Sequence, residues 1–245
     1  MWTWVQRWSD LLFLHWPVPV ATLEERLPRG VETDTWQGRA WVSLVLFRLK
    51  VRPAWLPFLP GVSDLTEVNL RTYVRCGGRT GVWFLSMHAD NRWAVRLAKL
   101  LTPLPYYHTA LSYRHTETTF QFTGCGVLAP DVPHMLTFQP AGETRAAADE
   151  VLDTWLLERY RAFVGIPGGL TEAEVEHVPW MVRGVELSWP TDGLGKGWGL
   201  DLSHPPERCH FSPGVEARFG RFAKVKPTDF SGPSSFRTDL SSSVA

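Results

Sequence analysis

The 245-residue chain carries 25 lysine and arginine residues against 25 aspartate and glutamate residues, so its formal net charge is +0 at pH 7. This balance argues against a nucleic-acid partner, which requires an excess of basic residues to displace counterions from phosphates. Hydrophobic residues make up 44% of the chain, and that share excludes a fully disordered protein. We expect a single domain over residues 1–225 and a disordered tail over residues 226–245, where serines replace apolar residues.

The N-terminal segment has an apolar run at residues 11–14, which raises the question of a targeting signal. The run is too short for a signal peptide, follows Asp10, and is closed by Pro17 and Pro19 without a small-residue cleavage site. Nowhere does the chain contain about 18 consecutive apolar residues, the length that a membrane-spanning helix requires. We therefore expect a cytoplasmic protein with no membrane partner.

Helical periodicity and capping signals are found in five segments. The N-terminal segment places Trp4, Trp8, Leu11 and Leu12 on one helical face, and residues 21–29 form a second short helix. A third helix follows Asp90 or Asn91 and ends at Pro103, with Trp93, Leu97, Leu100 and Leu101 facing inward and Arg92, Arg96 and Lys99 outward. Residues 144–164 predict the longest helix, with Leu152, Trp155, Leu156, Tyr160 and Phe163 on one face, and Thr171 and Glu174 match a capping box.

Strands are predicted where β-branched and aromatic residues alternate with polar ones. The predicted strands span 40–47, 66–75, 82–88, 110–115, 118–123, 182–189 and 215–225, and prolines predict an extended loop over 52–61. A glycine-rich turn at 76–81 joins the second and third strands into a hairpin. This order predicts an α+β fold with a mainly antiparallel sheet or barrel and a few helices.

The predicted strand at 66–75 has one polar face. Because side chains alternate across a strand, Glu67, Asn69, Arg71 and Tyr73 point to the same side. The first interpretation is an ordinary solvated face of a half-buried strand. The second is a cavity in which Glu67 and Arg71 hold a polar ligand, Asn69 orients it, and Tyr73 forms a wall. The third is a structural ion pair between Glu67 and Arg71.

A second candidate segment lies at residues 103–108, where two prolines precede Tyr106, Tyr107 and His108. Adjacent side chains of an extended segment face opposite sides, so one tyrosine would line a pocket while the other packs outside. His108 has the side chain that titrates near neutral pH, although a lone histidine is more often a surface or satisfied core residue.

Metal-binding and standard catalytic motifs are not found in the sequence. Cys76, Cys125 and Cys209 are far apart and form no CxxC pair, and only His210 lies beside one of them. There is no GxSxG, Walker, GxGxxG or HExxH motif, and the alternating glycines at 193–199 predict a flexible loop. We expect neither a metal nor a cofactor.

Several short motifs identify a family resemblance. The sequence resembles the YqjF-like family of bacterial proteins, domain of unknown function 2071. The matching stretches are LFLHWPVP at 12–19, VRP at 51–53, LPG at 59–61, EVNLRTYV at 67–74, GVWF at 81–84, LPYY at 104–107, ERY at 158–160 and HFSPGV at 210–215. That family is similar to acetoacetate decarboxylase, which implies a closed β-barrel with helices packed outside and a central polar cavity. On this resemblance the polar face of the strand at 66–75 points into the cavity.

The chemistry of acetoacetate decarboxylase requires a Schiff-base lysine beside a second lysine, and this sequence departs from that pattern. Its counterpart is Pro105-Tyr106-Tyr107, and Lys50 lies between Arg48 and Arg52 in a basic row typical of a solvent-facing strand. We therefore expect no Schiff-base decarboxylation, because a shared fold without the nucleophile does not fix the reaction.

These observations lead to a hypothesis of a polar pocket for a small organic ligand that is anionic or carries a carbonyl. Arg71 is the candidate anion anchor and Glu67 the candidate acid or base in a lyase-like or hydrolase-like step. Asn69, Tyr73, Tyr106, Tyr107 and His108 are the candidate ligand contacts. A non-catalytic sensor or binding module and a structural protein remain alternatives, and homo-oligomerisation is left open.

Overall fold

The computed structural model describes residues 2–58, 63–125, 133–189 and 199–226. These residues are mostly in strands, with a few short helices. The strands are β1 (Trp4–Val18), β2 (Glu32–Thr33), β3 (Ala40–Pro53), β4 (Asp64–Cys76), β5 (Arg79–Ala89), β6 (Tyr106–His108), β7 (Leu111–His115), β8 (Phe120–Cys125), β9 (Pro133–Ala146), β10 (Arg161–Ile166), β11 (Gly169–Glu176), β12 (Met181–Ser188), β13 (Arg208–Phe219) and β14 (Ala223–Lys224). The helices are α1 (Val20–Glu24), α2 (Arg92–Leu101) and α3 (Val151–Leu157), with a 3₁₀ turn at Ala147–Asp149.

The long strands are connected in a ring by their backbone hydrogen bonds. The neighbours follow the order β11, β10, β5, β4, β3, β1 and β13, and β13 then pairs with β11 through Val175 opposite Phe219 and Glu176 opposite Arg218. All of these pairings are antiparallel except that of β10 with β5. The ring therefore has an inner and an outer face.

A second layer covers part of the outer face of the ring. Strands β12, β9, β8 and β7 continue the sheet from β13. Their aromatic residues Phe122 and Phe138 share a buried apolar cluster with Leu44, Val68 and Leu70 of the ring. Because side chains alternate, the residues between these positions on β3 and β4 face the interior of the ring.

Most of the strand predictions are confirmed. The strands predicted at 40–47, 66–75 and 82–88 are β3, β4 and β5, and β4 and β5 form the expected hairpin with Glu67 opposite Ala89. Predicted strands at 110–115, 118–123 and 182–189 correspond to β7, β8 and β12. The last predicted strand begins earlier, at Arg208, and β3 runs on to Pro53, into the segment predicted as a loop.

The prediction of an N-terminal helix is wrong, because residues 4–18 form strand β1. The cause is a bulge between Ser9 and Leu12 in the pairing with β3, where Asp10 has φ 54°. Because the bulge adds one residue to β1, the side chains that face inward have even residue numbers before it and odd residue numbers after it. Trp8 and Leu11 thus share the inner face at a helix-like spacing.

Two further helix predictions are corrected. Helix α3 covers only Val151–Leu157 of the predicted 144–164, because Glu158 leaves the helical conformation with ψ 71° and the chain continues as β10 beside β5. The capping-box signal at Thr171 and Glu174 lies within β11, where Glu174 forms an ion pair with Arg161 instead of capping a helix.

Helix α2 begins after Asn91, whose side chain accepts hydrogen bonds from the backbone of Trp93 and Ala94, as predicted. Its orientation differs from the prediction. Trp93 is 63% exposed and Leu100 80% exposed, while Val95 is the buried residue of the helix. The face of α2 that includes Val95 packs on the ring, where the helix lies beside β5 and β6.

The prediction of a flexible loop at 193–199 lies outside the described residues except for Gly199, and so does the tail from residue 227 onward. Residues 59–62 and 126–132 are also outside them. Within the described ranges, no helix combines the length and apolar character that crossing a membrane requires.

Candidate functional site

A cavity of about 310 Å³ lies on the inner face of the ring. Its walls are mostly apolar and come from β1, β3, β4, β5, α2 and the segments around β10–β13. Exposed Leu56, Leu97 and Leu101 belong to its lining and mark where it reaches the surface. The ionisable residues of the lining are Glu67, Arg71, Tyr106, Arg159, Arg161 and His177.

Strand β4 supplies the polar group of the cavity. Glu67, Asn69 and Arg71 occupy alternate positions of the strand and all three line the cavity. Steps of two residues along a strand measure about 7 Å, so these side chains leave the wall at successive depths. Glu67 is 2% and Asn69 5% exposed. The polar face is therefore buried around a cavity, unlike the solvated face of an ordinary half-buried strand.

Glu67 is a buried carboxyl group held by two neighbours. The Tyr106 hydroxyl donates a hydrogen bond to its Oε2 at 2.9 Å, and the Asn69 Nδ2 donates to its Oε1 at 3.4 Å. Burial raises the pKa of Glu67 to about 7, although both hydrogen bonds favour the charged form. A carboxyl group with this pKa can give or take a proton near neutral pH.

Arg71 is a cation without a carboxylate partner in the described part of the chain. Its Nε and Nη2 are buried without a hydrogen-bond partner there, and its guanidinium carbon lies 5.8 Å from the centre of the Phe13 ring. The other cavity-lining arginines are paired: Arg159 lies 2.7 Å from Asp34, and Arg161 lies 3.2 Å from Glu172. Burial lowers the pKa of Arg71, which indicates an environment that disfavours an uncompensated charge.

Glu67 and Arg71 do not form an ion pair with one another. The hydrogen bonds of Glu67 go to Tyr106 and Asn69, and no salt bridge of the described residues includes Arg71. The interpretation of these two residues as a structural ion pair is therefore not what the structure contains.

Tyr73 lies behind the cavity and does not line it. It is fully buried, its hydroxyl lies 3.1 Å from Nδ1 of His15, and its ring packs on Trp155 at 4.7 Å. The His15 ring lies 5.4 Å from that of His210, and Nε2 of His210 lies 3.1 Å from Asp153. Sequence analysis missed His15, because reading residues 4–12 as helical hid its alternation with Phe13 on the inner face of β1.

The structure separates the two adjacent tyrosines of β6, as alternation predicts. Tyr106 is 8% exposed and lines the cavity, whereas Tyr107 is 48% exposed and stacks on His88 at 5.4 Å. His108 is exposed and lies in a shallow surface depression beside Arg96 and Lys99. Tyr107 and His108 are therefore not brought together with Glu67 and Arg71.

An aromatic wall was also not foreseen. Phe13 packs edge-on against Trp180 at 5.1 Å, and Trp180 stacks on Trp8 at 6.0 Å. All three rings line the cavity, as do Phe47 and His177. Tryptophan abundance is visible in the sequence, but the contacts join positions more than 160 residues apart, which periodicity cannot reveal.

No lysine lines the cavity in the described part of the chain. Lys50 is exposed, and its Nζ lies 3.1 Å from Asp64 on the neighbouring strand. The expectation of a solvent-facing basic row at this position is confirmed for Lys50.

Borohydride reduction in the presence of a 2-oxo acid is accordingly expected to leave the protein mass unchanged, because no lysine of the described residues lines the cavity to form an imine. Intact-mass spectrometry after incubation with pyruvate and sodium borohydride measures this directly. A mass increase that maps to any lysine by peptide analysis would contradict the prediction, and a lysine-dependent aldolase treated in parallel shows that trapping works.

The ring, the outer sheet and the helices match solved structures of one fold class, that of acetoacetate decarboxylase. An acetoacetate decarboxylase-like enzyme from Sphingomonas wittichii RW1 aligns with a TM-score of 0.64 at 12% identity, covering 91% of this chain and 93% of that one. Acetoacetate decarboxylase from Legionella pneumophila aligns with a TM-score of 0.62 at 14% identity over 90% and 87% of the two chains. The enduracididine biosynthesis enzyme MppR, complexed with pyruvate, aligns with a TM-score of 0.61 at 12% identity over 91% and 90%.

The sequence comparisons give the family. The family DUF2071, described as an uncharacterized conserved protein, matches residues 5–216. The uncharacterized protein YqjF of Bacillus subtilis (strain 168) is 30% identical over 220 residues, covering 89% of this chain and 91% of YqjF. The chain therefore belongs to the DUF2071 family, and the resemblance inferred from its motifs is confirmed.

Proposed function

We propose that the ring is a closed β-barrel forming one domain with its outer sheet and helices, and that its cavity binds a small organic anion through Arg71. The single observation that carries the proposal is the cavity-lining guanidinium of Arg71, which has no anionic partner among the described residues. An uncompensated charge in a partly buried position lowers stability unless an anion joins it, so a ligand supplies the missing counter-ion.

Glu67 is the proposed acid or base of a lyase-like reaction. Its pKa of about 7 lets it exchange a proton with the ligand, and the Tyr106 hydroxyl holds its Oε2 in position. The solved structures of this fold include acetoacetate decarboxylases and an enzyme complexed with pyruvate, which supports an organic acid as the ligand. Because no lysine among the described residues lines the cavity, the proposed reaction proceeds without a Schiff base.

The second candidate function is a non-catalytic sensor or binding module that uses the same side chains as ligand contacts. The uncharged state that burial favours for Glu67 supports it, because a neutral carboxyl group is also a good hydrogen-bond donor to a bound carbonyl. Turnover of a bound acid distinguishes the two candidates.

We expect Arg71→Gln to abolish stabilisation by short organic acids, because glutamine keeps the polarity but removes the charge. The measurement is the shift in melting temperature with pyruvate or acetoacetate, compared among wild type, Arg71→Gln and Arg114→Gln. Arg114 is exposed on β7 and does not line the cavity, so its variant should retain the wild-type shift. Pyruvate stabilisation that survives in Arg71→Gln would rule out Arg71 as the anchor.

A further inference from the structure

We infer that the ligand is a monocarboxylic acid with an apolar body of about eight to twelve non-hydrogen atoms, bound carboxylate-inward with its body toward the cavity mouth. This inference rests on the proposed function and adds the size, polarity and direction of the ligand. It follows from how the polar and apolar positions are distributed along the depth of the cavity.

The polar end of the cavity is its deep end. Along β4, the inner face passes from Leu65 through Glu67 and Asn69 to Arg71. The next inner-face residue, Tyr73, is fully buried and no longer lines the cavity. Arg71 is thus the last residue of β4 to reach the cavity, and an anion bound there lies at its closed end.

The other end of the cavity is mostly apolar and leads to the surface, with Gln6 and Ser63 as its polar lining residues. Leu65 lies opposite Leu49 of β3, and Leu49 lies opposite Trp8 of β1. One level further, Val51 of β3 lies opposite Gln6, and after β3 the exposed Leu56 belongs to the lining. A ligand body that extends from Arg71 past Glu67 toward the mouth therefore contacts mainly apolar side chains.

The size of the cavity limits the ligand. A volume of about 310 Å³ equals about ten water molecules at about 30 Å³ each. Acetate or pyruvate at Arg71 would leave most of this volume filled with water against apolar walls. An acid with a chain of six to eight carbons, or with a phenyl ring, fills it.

The charge of the cavity limits the ligand to one negative group. Arg159 and Arg161 have carboxylate partners of their own, so Arg71 is the cation that remains for a ligand among the described lining residues. A dianion such as a phosphate ester would bring a second charge next to Glu67. Among the described lining residues, no other arginine or lysine lacks a carboxylate partner to compensate it.

The experiment compares propionate, octanoate and the neutral octanamide with wild type, Arg71→Gln and Val51→Phe by ligand-observed NMR titration. Each buried methylene contributes up to about a factor of four in affinity, so octanoate is expected to bind at least about 30-fold more tightly than propionate. Octanamide should bind at least about 10-fold more weakly than octanoate, because it carries no charge and cannot form an ion pair with Arg71.

Val51→Phe fills the apolar end near the mouth while leaving the residues around Arg71 unchanged. It is expected to weaken octanoate about 10-fold or more and to leave propionate unaffected. Val151→Phe, the same change on the exposed start of α3, is the matched control and should bind both acids like wild type. Circular dichroism of each variant confirms that it is folded.

The outcomes separate the two proposals. If propionate and octanoate bind equally and both depend on Arg71, the apolar-body inference is overturned and the anion site stands. If no acid binds in an Arg71-dependent manner, the proposed function fails, and this inference fails with it. Equal binding of octanoate and octanamide would likewise exclude a carboxylate anchor.

Discussion

Arg159→Met is expected to lower the free energy of unfolding by about 3 kcal/mol, whereas Arg71→Met should raise it by about 1 kcal/mol. Both arginines line the cavity, but among the described residues only Arg159 has a buried carboxylate partner. Its Nη1 lies 2.7 Å from Asp34, whose side chain is 3% exposed. Removing Arg159 leaves that carboxylate with Arg75 alone, at 2.9 Å and half-exposed.

The opposite sign at Arg71 follows from its lack of an anionic partner in the described chain. Methionine has a similar length and removes an uncompensated charge from a partly buried position. Urea unfolding at pH 7 without ligand measures both changes. If Arg71→Met destabilised the protein as strongly as Arg159→Met, Arg71 would have a structural role, and its assignment as a ligand anchor would be wrong. Arg114→Met, on the exposed face of β7, is the control and should change stability little.

The second large effect is a pH dependence that comes from Glu67. Its pKa rises from 4.5 to about 7 on folding, so the folded protein binds a proton that the unfolded chain releases in this range. Stability from this group is fully present below pH 4.5 and is lost as the pH rises through 7. The free energy of unfolding of wild type, minus that of Glu67→Gln measured at the same pH, should therefore fall by about 2–3 kcal/mol between pH 5 and pH 8.

The prediction uses the difference in unfolding free energy between wild type and Glu67→Gln, because the buried histidines change stability with pH in the direction opposite to Glu67. Burial lowers the pKa of His15 and lowers that of His88 to about 4, so folding is favoured as the pH rises through their ordinary range. Both proteins contain these histidines, and the subtraction removes their contribution. A difference that does not change from pH 5 to pH 8 would show that Glu67 is charged in the folded state and would remove it as the acid.

The polar face of β4 could be predicted from the sequence, because it depends only on the alternation of side chains along one strand. Glu67, Asn69 and Arg71 share a face in any regular strand, and the structure places that face around a cavity. The unpaired state of Arg71 could not be predicted in the same way. It depends on which carboxylates the fold brings near each cavity arginine, and Arg159 finds its partner, Asp34, 125 residues away in the chain.

The errors near the N-terminus and around residue 160 have different physical causes. In β1 a bulge at Asp10 changes the phase of the alternation, so a strand imitates the spacing of a helix. After Leu157 the apolar spacing continues by coincidence into Tyr160 and Phe163, but tertiary pairing of β10 with β5 makes this part a strand. Neither event leaves a signal in a single sequence, because one is a one-residue irregularity and the other a long-range contact.

The side chains of strand β4 alternate between the cavity on one side and the outer sheet on the other. Glu67, Asn69 and Arg71 face the cavity, while Val68 and Leu70 hold the outer sheet in place. If the proposed ligand site is correct, substitutions in the first set change ligand binding, while the packing between the sheets depends on the second set. With that site, such a division would let related proteins diverge in ligand chemistry while they keep one architecture, since ligand contacts and packing contacts would lie at alternate positions of the same strand.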